Sequence, residues 1–423
     1  MIEADWLSEF PLEWRELRAD FLCNPYRVAV SPERYEGTMV AHYSIPQVQE
    51  TGGPLVEPAD DIDSTKLLIS SPTLLVSKLN PRKRTICIAE PQGDLVTLAS
   101  GEFVPIQSDQ FHRRYGYYVW LSEKVTDRLS AIVQSATRSH QRVNPSDILK
   151  LPWKWPPLET QERIATFLDK KTAQIDGLIG RKQALLERLA EKRQGLITRG
   201  VTKGLNPAAS MKDSGIEWLG QIPAHWEVKR LSFVSQVIDC KHRTPEYIDD
   251  GIPLVSTSEI SPYRIDYDTK RQVSQQELGL MSEGGRQPRA FDIIYSRNAS
   301  VGSAALVRDD RTLCLGQDLC LIRPSKNSSH FLEHFLNSTA CLEQLGSYLV
   351  GATLKRVNVD VIKKYALPWP PQDEQIRISA FLSAEIAKIE AVEQAVSSST
   401  AALLEYRSTL ITSAVTGQIE GLR

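Results

Sequence analysis

Two long stretches of the chain carry apolar residues with a seven-residue period. In the first stretch these residues are Leu168, Ile175, Leu189 and Leu196, and in the second they are Leu382, Ile389, Val396, Leu403 and Leu410. A neighbouring seam contains Ile164, Leu178 and Leu185 in the first stretch and Ile378 and Val392 in the second. This spacing is typical of coiled coils. Because roughly 40 helical residues make a rod of about 60 Å, paired rods are favoured over helices packed on their own small domains.

Both predicted helices begin after a proline, Pro157 or Pro371, at a position where a missing N–H costs nothing. The flanking parts, roughly residues 5–155 and 217–369, mix short β-like runs with polar turns and helical stretches. The predicted strands are Lys66–Ser70, Leu74–Leu79, Arg84–Ile88, Phe291–Tyr295, Ala304–Val307 and Leu319–Ile322. The predicted shorter helices are Tyr118–Gln134 and Phe331–Leu349.

The two halves of the chain share a set of sequence motifs. Trp6-Leu7, Pro11 and Trp14 recur as Trp218-Leu219, Pro223 and Trp226, and the offset in residue number is 212 at each of them. From Arg142-Val143-Asn144, which recurs as Arg356-Val357-Asn358, the offset is 214, and it continues without a gap through the predicted helices. Matched positions there include Trp155-Pro156-Pro157 with Trp369-Pro370-Pro371, Gln161 with Gln375, Phe167 with Phe381 and Thr202 with Thr416. Chance likeness between amphipathic helices would explain matched leucines only, so we infer a duplicated architecture with two divergent central parts.

Charge predicts how the two long helices pair. Residues 181–203 carry seven basic and two acidic side chains, whereas residues 372–395 carry two basic and five acidic ones. Two equal halves tend to fold about an internal two-fold axis, which makes the helices antiparallel and sets these stretches against each other. Exposed ion pairs are individually weak, so the charges chiefly select the partner and its direction.

Composition narrows the functional classes. A length of 423 residues suggests two or three domains, and the net charge of −2 means that any nucleic-acid surface would consist of local basic clusters. The six cysteines form no C-x-x-C pair, which is typical of reduced thiols in a cytoplasmic protein. No apolar run approaches the ~18 residues that span a bilayer, and the acidic N-terminal segment is unlike a secretory signal. We therefore expect a cytoplasmic protein without membrane contact.

The helix starts and the linker resemble the specificity subunits of type I restriction–modification systems. The motifs are WPPLETQERIATFLD at 155–169, VTKGL at 201–205, DSGIEWLGQIPAHW at 213–226 and PPQDEQIRI at 370–378. The likeness follows the order of the whole chain, although the opening FPLEW at 10–14 departs somewhat from the usual form.

Pattern and resemblance together predict an α+β fold, in which two α/β target recognition domains are separated by two long antiparallel coiled-coil helices with a pseudo-two-fold repeat. The predicted limits are 1–157 for the first target recognition domain, 158–204 for the first spacer helix, 205–370 for the linker and second target recognition domain, and 371–423 for the second helix and tail.

The resemblance also implies a function. Each target recognition domain would read one half of a split, asymmetric sequence in double-stranded DNA, and the helices would set the spacing and dock two DNA methyltransferase subunits. Restriction subunits, which are motor nucleases, would complete the enzyme. S-adenosylmethionine, ATP and Mg²⁺ would be used by these partner subunits, so this chain is expected to bind no cofactor.

The sequence lacks motifs for catalysis. Asn24-Pro25-Tyr26 misses one proline of the adenine-methyltransferase motif and follows no glycine loop, so it is interpreted as a tight turn. No G-x-x-x-x-G-K-[ST] loop is present. His330 and His334 stand four apart on a predicted helix, as zinc ligands can, but no carboxylate or cysteine completes the set in the manner of H-E-x-x-H. We expect no catalytic residue and no metal site.

Candidate DNA contacts are basic or amide residues in the predicted loops. In the first domain they are Lys78, Arg82, Lys83, Arg84, Arg138, His140 and Arg142. In the second domain they are Lys241, His242, Arg243, Arg297, Asn298, Lys355 and Arg356. Arginine can read guanine and asparagine adenine, whereas lysine mostly contacts phosphate, and each residue could instead be a solvated charge. Arg142 and Arg356 recur in both halves, which favours a phosphate or structural role over reading different bases.

Two other functions are open. A self-contained restriction–methylation enzyme would need the methyltransferase and motor motifs that the sequence lacks. A coiled-coil scaffold without DNA binding would leave the two divergent domains unexplained. Neighbouring genes for a methyltransferase and a motor nuclease would discriminate between these classes.

Overall fold

The computed structural model of the chain describes residues 6–24, 27–133, 141–325, 327–349 and 356–423. These residues form two compact units. Unit 1 comprises Met1–Lys182 and Ser397–Arg423, and unit 2 comprises Gln183–Val396. Each unit groups one β-rich domain with parts of both long helices, so the finer domain limits given above stay a prediction.

Unit 1 contains a five-stranded sheet of order β2-β5-β8-β3-β4, a three-stranded sheet of order β7-β6-β9 and the antiparallel pair β1-β10. Its strands are β1 (Arg15–Arg18), β2 (Ala29–Val30), β3 (Met39–Tyr43), β4 (Leu55–Pro58), β5 (Lys66–Leu68), β6 (Thr73–Ser77), β7 (Ile86–Ala89), β8 (Val96–Ser100), β9 (Phe103–Ile106) and β10 (Pro152–Trp155). Its helices are α1 (Ile45–Thr51), α2 (Arg113–Leu121), α3 (Glu123–Ala131), α4 (Pro145–Leu149) and the first half of α5 (Leu158–Lys203).

Unit 2 contains a four-stranded sheet of order β14-β22-β19-β20, a three-stranded sheet of order β18-β15-β21 and the pairs β11-β12, β13-β23 and β16-β17. Its strands are β11 (Met211–Asp213), β12 (Gln221–Pro223), β13 (Glu227–Arg230), β14 (Ser235–Asp239), β15 (Ile252–Val255), β16 (Ile260–Ser261), β17 (Arg264–Ile265), β18 (Gln272–Val273), β19 (Ile293–Ser296), β20 (Ala304–Leu306), β21 (Cys314–Leu315), β22 (Leu319–Pro324) and β23 (Ala366–Trp369). Its helices are α6 (Leu231–Val234), α7 (Gln275–Ser282), α8 (Ser329–Leu336), α9 (Thr339–Leu349), α10 (Val359–Lys363) and the first part of α11 (Gln372–Val415).

The two predicted helical stretches, 118–134 and 331–349, each fall on two helices rather than one. Each is a pair, α2 with α3 and α8 with α9, and the break falls at Ser122 or next to Ser338. Each serine hydroxyl donates to the carbonyl three residues before it at 2.6 Å and accepts from the N–H three residues after it. A serine hydroxyl competes in this way with the helical backbone bonds and caps the following helix. The apolar pattern runs across both breaks, which is why periodicity alone missed them.

The two long helices pack antiparallel in each unit, as predicted. In unit 1 the start of α5, with Leu168, shares a buried core with the end of α11, with Leu410 and Ile411. In unit 2 the end of α5, with Ile197, shares a core with Leu382 near the start of α11. The predicted fold class, α+β with two β-rich domains and two long paired helices, is confirmed.

The ion pairs between the two long helices occur at equivalent positions of the internal repeat. In unit 1 Arg407 lies 2.9 Å from Asp176, and in unit 2 Arg193 lies 3.8 Å from Glu390. Adding the offset of 214 to the numbers of Asp176 and Arg193 gives Glu390 and Arg407, so the second pair is the first with the roles of the helices exchanged. An acid on one helix and an arginine on the other therefore fix the same register twice.

Each long helix ends against a tryptophan of the repeated motif. Gly204 follows α5 with φ +70°, and Gly417 follows α11 closely with φ +74°. A Cβ atom at Gly204 would lie 3.1 Å from the Trp226 ring, and one at Gly417 would lie 3.0 Å from the Trp14 ring. Glycine is required at both positions for the left-handed turn and the close approach. Trp226 also donates to Glu374 at 3.0 Å, so one side chain contacts the end of α5 and the start of α11.

The second apolar seam of the long helices is buried only near their ends. Ile164 and Ile378 are fully buried, but Leu178 and Leu185 are each 42% exposed and Val392 is 45% exposed. This seam is therefore not covered in the middle of the helices, because a single partner helix covers only a narrow stripe. In the part of the chain that the structure describes, no helix has the length and apolar character needed to cross a membrane.

Candidate nucleic-acid interface

In unit 1, the predicted contacts Lys78 and Arg142 meet at the end of β6. The Lys78 N–H donates to the Glu102 carbonyl at 2.9 Å, and the Lys78 carbonyl accepts from the Val143 N–H at 3.0 Å. Arg142, whose side chain is 62% exposed, donates to the Glu102 carboxylate at 2.8 Å, and the Lys78 ammonium lies 3.8 Å from the same carboxylate. One acidic residue therefore fixes two basic residues that are far apart in the sequence.

Unit 2 repeats this arrangement at the end of β19. The Arg297 N–H donates to the Asp318 carbonyl at 2.9 Å, and the Arg297 carbonyl accepts from the Val357 N–H at 2.9 Å. Arg356, whose side chain is 48% exposed, lies 3.0 Å from the Asp318 carboxylate. Lys78 and Arg297 are thus equivalent, as are Glu102 and Asp318. We call each set of acid, exposed arginine and strand-end residue an arginine clamp.

The two clamps differ in what surrounds them. In unit 1 the loop after Lys78 turns through Asn80 in the left-handed region and presents Arg82 and Lys83 to solvent. In unit 2 the loop after Arg297 begins with Asn298, whose side chain donates to Asp318 at 3.2 Å and accepts from the Ala299 N–H. The shared frame therefore carries two loops of different chemistry.

Arg84 faces the helices rather than the exposed loop. Its guanidinium donates to Ser408 on α11 at 2.6 Å and lies 3.4 Å from Glu123 at the start of α3. Ser408 in turn donates to Glu123 at 2.8 Å. Among the first-domain candidates that are described, Arg84 is therefore the one tied to the contact between its domain and α11.

The other second-domain candidates each lie against a carboxylate. Lys241 contacts Glu283 and donates to the Leu280 carbonyl at 2.9 Å. Arg243 lies 2.7 Å from Glu277, and His242 lies 3.3 Å from Asp239. A cleft of about 380 Å³ is lined by Asp239, His242, Arg297, Arg356, Val357 and Asn358. Candidates from three separate segments thus meet at one place. Arg138, His140 and Lys355 lie outside the described residues.

Arg297 is buried at the base of this cleft, with 3% of its side chain exposed. Its guanidinium lies 2.8 Å from the Asp239 carboxylate and 3.4 Å from the Cys240 sulfur. Asp239, Cys240 and His242 also bring their potential ligand atoms within 4.8 Å of one another, as a metal site would. Burial raises the pKa of the Cys240 thiol, although Arg297 acts in the opposite direction. A metal ion would have to displace the Arg297 guanidinium from both ligands, so these residues fit an arginine-centred network better than a metal centre.

The pair His330 and His334 does not form a zinc site in this geometry. His334 is buried, and its two ring nitrogens lie 3.2 Å from the Tyr263 hydroxyl and 3.4 Å from the Ser383 hydroxyl. Burial lowers the pKa of His334 to about 4, so the ring is neutral near pH 7. A neutral histidine with both nitrogens in polar contacts is a packed core residue.

Sequence reasoning missed the acidic members of the clamps. Glu102 and Asp318 are related by neither of the two offsets of the visible repeat, 212 and 214, and they differ in residue type. The one hint was the weak likeness of residues 75–78 to residues 294–297, which marks the equivalent strand ends.

Known proteins match this chain in sequence and in fold. The profile of the type I restriction modification DNA specificity domain matches residues 223–396. The MjaVIII specificity subunit of a type I restriction enzyme from Methanocaldococcus jannaschii is 25% identical over 235 residues, which cover 54% of this chain and 53% of the relative. The EcoBI specificity subunit from Escherichia coli is 23% identical over 332 residues, covering 75% of this chain and 68% of the relative. The alignment thus spans about half the length of the first relative and two thirds of the second.

Solved structures share the fold over nearly the whole chain. A structure described as the basis of complex assembly and conformational transition of the type I R-M system covers 96% of this chain and 98% of its own, with a TM-score of 0.74 and 18% identity. The HsdS subunit from Thermoanaerobacter tengcongensis covers 97% of this chain and 98% of its own, with a TM-score of 0.53 and 19% identity.

Duplicated β-rich domains, two long antiparallel helices and a matched specificity domain define a DNA-specificity class of protein. Within this class, the chain is similar in sequence to the specificity subunits of type I restriction enzymes.

Proposed function

We propose that this chain recognises double-stranded DNA with both domains, each of which contacts one half of a split target. The observation that carries the proposal is the arginine clamp, which occurs at equivalent strand ends in both units. Arg142 and Arg356 offer exposed guanidinium groups that Glu102 and Asp318 hold in place. A pre-positioned guanidinium suits the phosphate backbone, which is the same at every sequence. The differing loops beside the clamps would then read different base edges in the major groove.

The long helices would hold the two readers at a fixed spacing and dock the partner subunits. We propose two DNA methyltransferase subunits and, through them, restriction subunits as partners, because the relatives are specificity subunits of type I restriction enzymes. S-adenosylmethionine, ATP and Mg²⁺ would be bound by those partners and not by this chain. All six cysteines are free thiols, which agrees with a location in the cytoplasm.

The purified chain alone is expected neither to methylate nor to cut DNA. The physical reason is that the clamps supply binding groups but no methyl donor, nucleophile or motor. The measurement is transfer of labelled methyl groups from S-adenosylmethionine, together with a cleavage assay with ATP and Mg²⁺. The matched positive control is the chain co-purified with its methyltransferase subunits. Methyl transfer by the chain alone, with partners shown absent by mass spectrometry, would overturn this assignment.

Removing either clamp arginine is expected to weaken DNA binding without changing the methylated sequence. Arg142→Ala or Arg356→Ala should lower affinity for cognate and unrelated duplexes by the same factor. Each should also reduce the slope of log K against log salt by about 0.9, because one phosphate contact is lost. Fluorescence anisotropy titrations over a salt series measure both quantities.

Arg311→Ala is the matched control for the clamp variants. Arg311 is 64% exposed and lies 2.9 Å from Asp309, so it resembles Arg142 in exposure and pairing but lies outside both clamps. It should leave affinity and slope unchanged. A changed base in one half of the methylated sequence would instead make the arginine a base reader, and unchanged affinity would leave it a structural residue.

A further inference from the structure

Some residues are identical in the two halves of the internal repeat, and core packing explains only part of them. In the stretch with offset 212, six positions are identical in the two halves: Trp6, Leu7, Pro11, Trp14, Arg18 and Phe21 match Trp218, Leu219, Pro223, Trp226, Arg230 and Phe233. Three of these positions are buried in both halves, so core packing accounts for them: Leu7 and Leu219, Pro11 and Pro223, and Trp14 and Trp226. Phe21 is 63% exposed and Phe233 is 76% exposed. Core packing does not account for the same aromatic residue on two such surfaces.

The two phenylalanines occupy the same place in the fold. Strand β1 pairs with β10 so that Arg18 faces Pro152, and β13 pairs with β23 so that Arg230 faces Ala366, which is the same register in the repeat. A helical turn follows each strand. It buries the residues before and after the phenylalanine, namely Ala19 and Leu22 in unit 1 and Leu231 and Val234 in unit 2. The phenylalanine therefore faces solvent in both units.

An arginine accompanies each phenylalanine. The Arg18 guanidinium lies 4.6 Å from the centre of the Phe21 ring and 2.6 Å from the Asp20 carboxylate. In unit 2 Arg230 and Phe233 are both exposed, and Ser232 stands where unit 1 has Asp20. Aromatic residues and arginine are the residue types that dominate the energy of protein–protein interfaces.

We propose that the surfaces around Phe21 and Phe233 are two equivalent docking sites, each for one copy of the same protein partner. This inference rests on the proposed function, in which two methyltransferase subunits bind one specificity subunit, and it assigns part of their contact to these residues. Two surfaces that share a phenylalanine and an arginine, on otherwise divergent domains, fit an occupant that is itself present twice. The bases of the DNA do not fit this condition, since the two half-sites differ, and the repeated phosphate backbone offers no apolar surface to a phenylalanine.

In unit 2 the phenylalanine lies apart from the clamp. Strand β14 begins two residues after Phe233 and ends at Asp239, which borders the cleft of the clamp. At about 3.3 Å per residue the strand alone places roughly 13 Å between the phenylalanine and the clamp region. A phenylalanine that contacted DNA would do so as a wedge between base steps, and that contact depends on the sequence of the step.

The test counts bound methyltransferase subunits. The full chain, Phe21→Ala, Phe233→Ala and the double variant are each titrated with purified methyltransferase subunit, and stoichiometry and Kd are measured by native mass spectrometry and calorimetry. We expect two bound copies for the unchanged chain. In each single variant the Kd of one site should rise at least tenfold, and in the double variant both sites should weaken. Arg18→Glu and Arg230→Glu should reproduce these losses through the neighbouring charge.

Leu12→Ala is the matched control. Leu12 lies in the same segment and is 91% exposed, but its counterpart in the second half is Ala224, so the repeat does not retain it. It should bind two copies with unchanged Kd. Two copies bound by the double variant with unchanged Kd would overturn the docking sites while leaving the proposed function intact. Loss of DNA affinity by the variants without partner would show that the phenylalanines are wedges, and failure of the unchanged chain to bind any methyltransferase would count against the proposed function itself.

Discussion

A matched insertion of four residues in both long helices is expected to lengthen the unread spacer of the DNA target by one or two base pairs. The insertions would follow Arg181 in α5 and Ala401 in α11. Four residues add about 6 Å of helix and rotate the apolar face by only about 40°, so the pairing can continue. DNA rises about 3.4 Å per base pair. The measurement is single-molecule sequencing of methylated adenines in cells that carry the altered subunit.

The structure requires the insertion to be made in both helices. Asp176 and Arg193 on α5 are separated by the same length of helix as their partners Arg407 and Glu390 on α11. An insertion in α5 alone would leave these two contacts out of step by about 6 Å. This single insertion should abolish methylation, as should matched insertions of two residues, which rotate the seam by about 200°. An active four-residue variant with an unchanged spacer would show that the helices do not measure the gap.

Exchange of residues 235–356 for the equivalent segment of another specificity subunit is expected to change one half of the methylated sequence completely and leave the other half unchanged. This segment begins with β14 and ends with Arg356, so it includes the second clamp and its loops. It leaves the β13–β23 pair and Trp226 in place, and Trp226 contacts the end of α5 and the start of α11. Methylome sequencing of cells with the hybrid subunit provides the measurement.

A second hybrid provides the control for the exchange. Replacing residues 27–142, which contain the first clamp, should alter the opposite half of the sequence. A hybrid that changes both halves together would mean that the two domains do not read independently. A hybrid that keeps both halves unchanged would place the reading residues outside the exchanged segment.

Features that repeat or alternate along the chain are predictable from the amino-acid sequence alone. The heptad pattern predicted two long helices, and α5 and α11 are continuous over Leu158–Lys203 and Gln372–Val415. The opposite charges of 181–203 and 372–395 predicted their antiparallel pairing, which the contact of Arg193 with Glu390 bears out. Apolar runs predicted the positions of β5, β6, β7, β19, β20 and β22. Each of these features rests on a local periodicity or on a block of like charge, so a linear pattern contains the information.

Contacts between residues far apart in the sequence become visible in the folded structure. Glu102 joins Lys78 to Arg142, and Asp318 joins Arg297 to Arg356, across separations that carry no periodic pattern. The same limit explains Arg84, a basic loop residue in the sequence whose guanidinium contacts Ser408 near the other end of the chain. Exposure follows this rule too, because the exposure of Leu178 and of Phe21 depends on whether a distant surface covers each side chain. Contacts between individual residues of remote segments are set by the packing of whole elements, and no periodic or charge pattern along the sequence contains that packing.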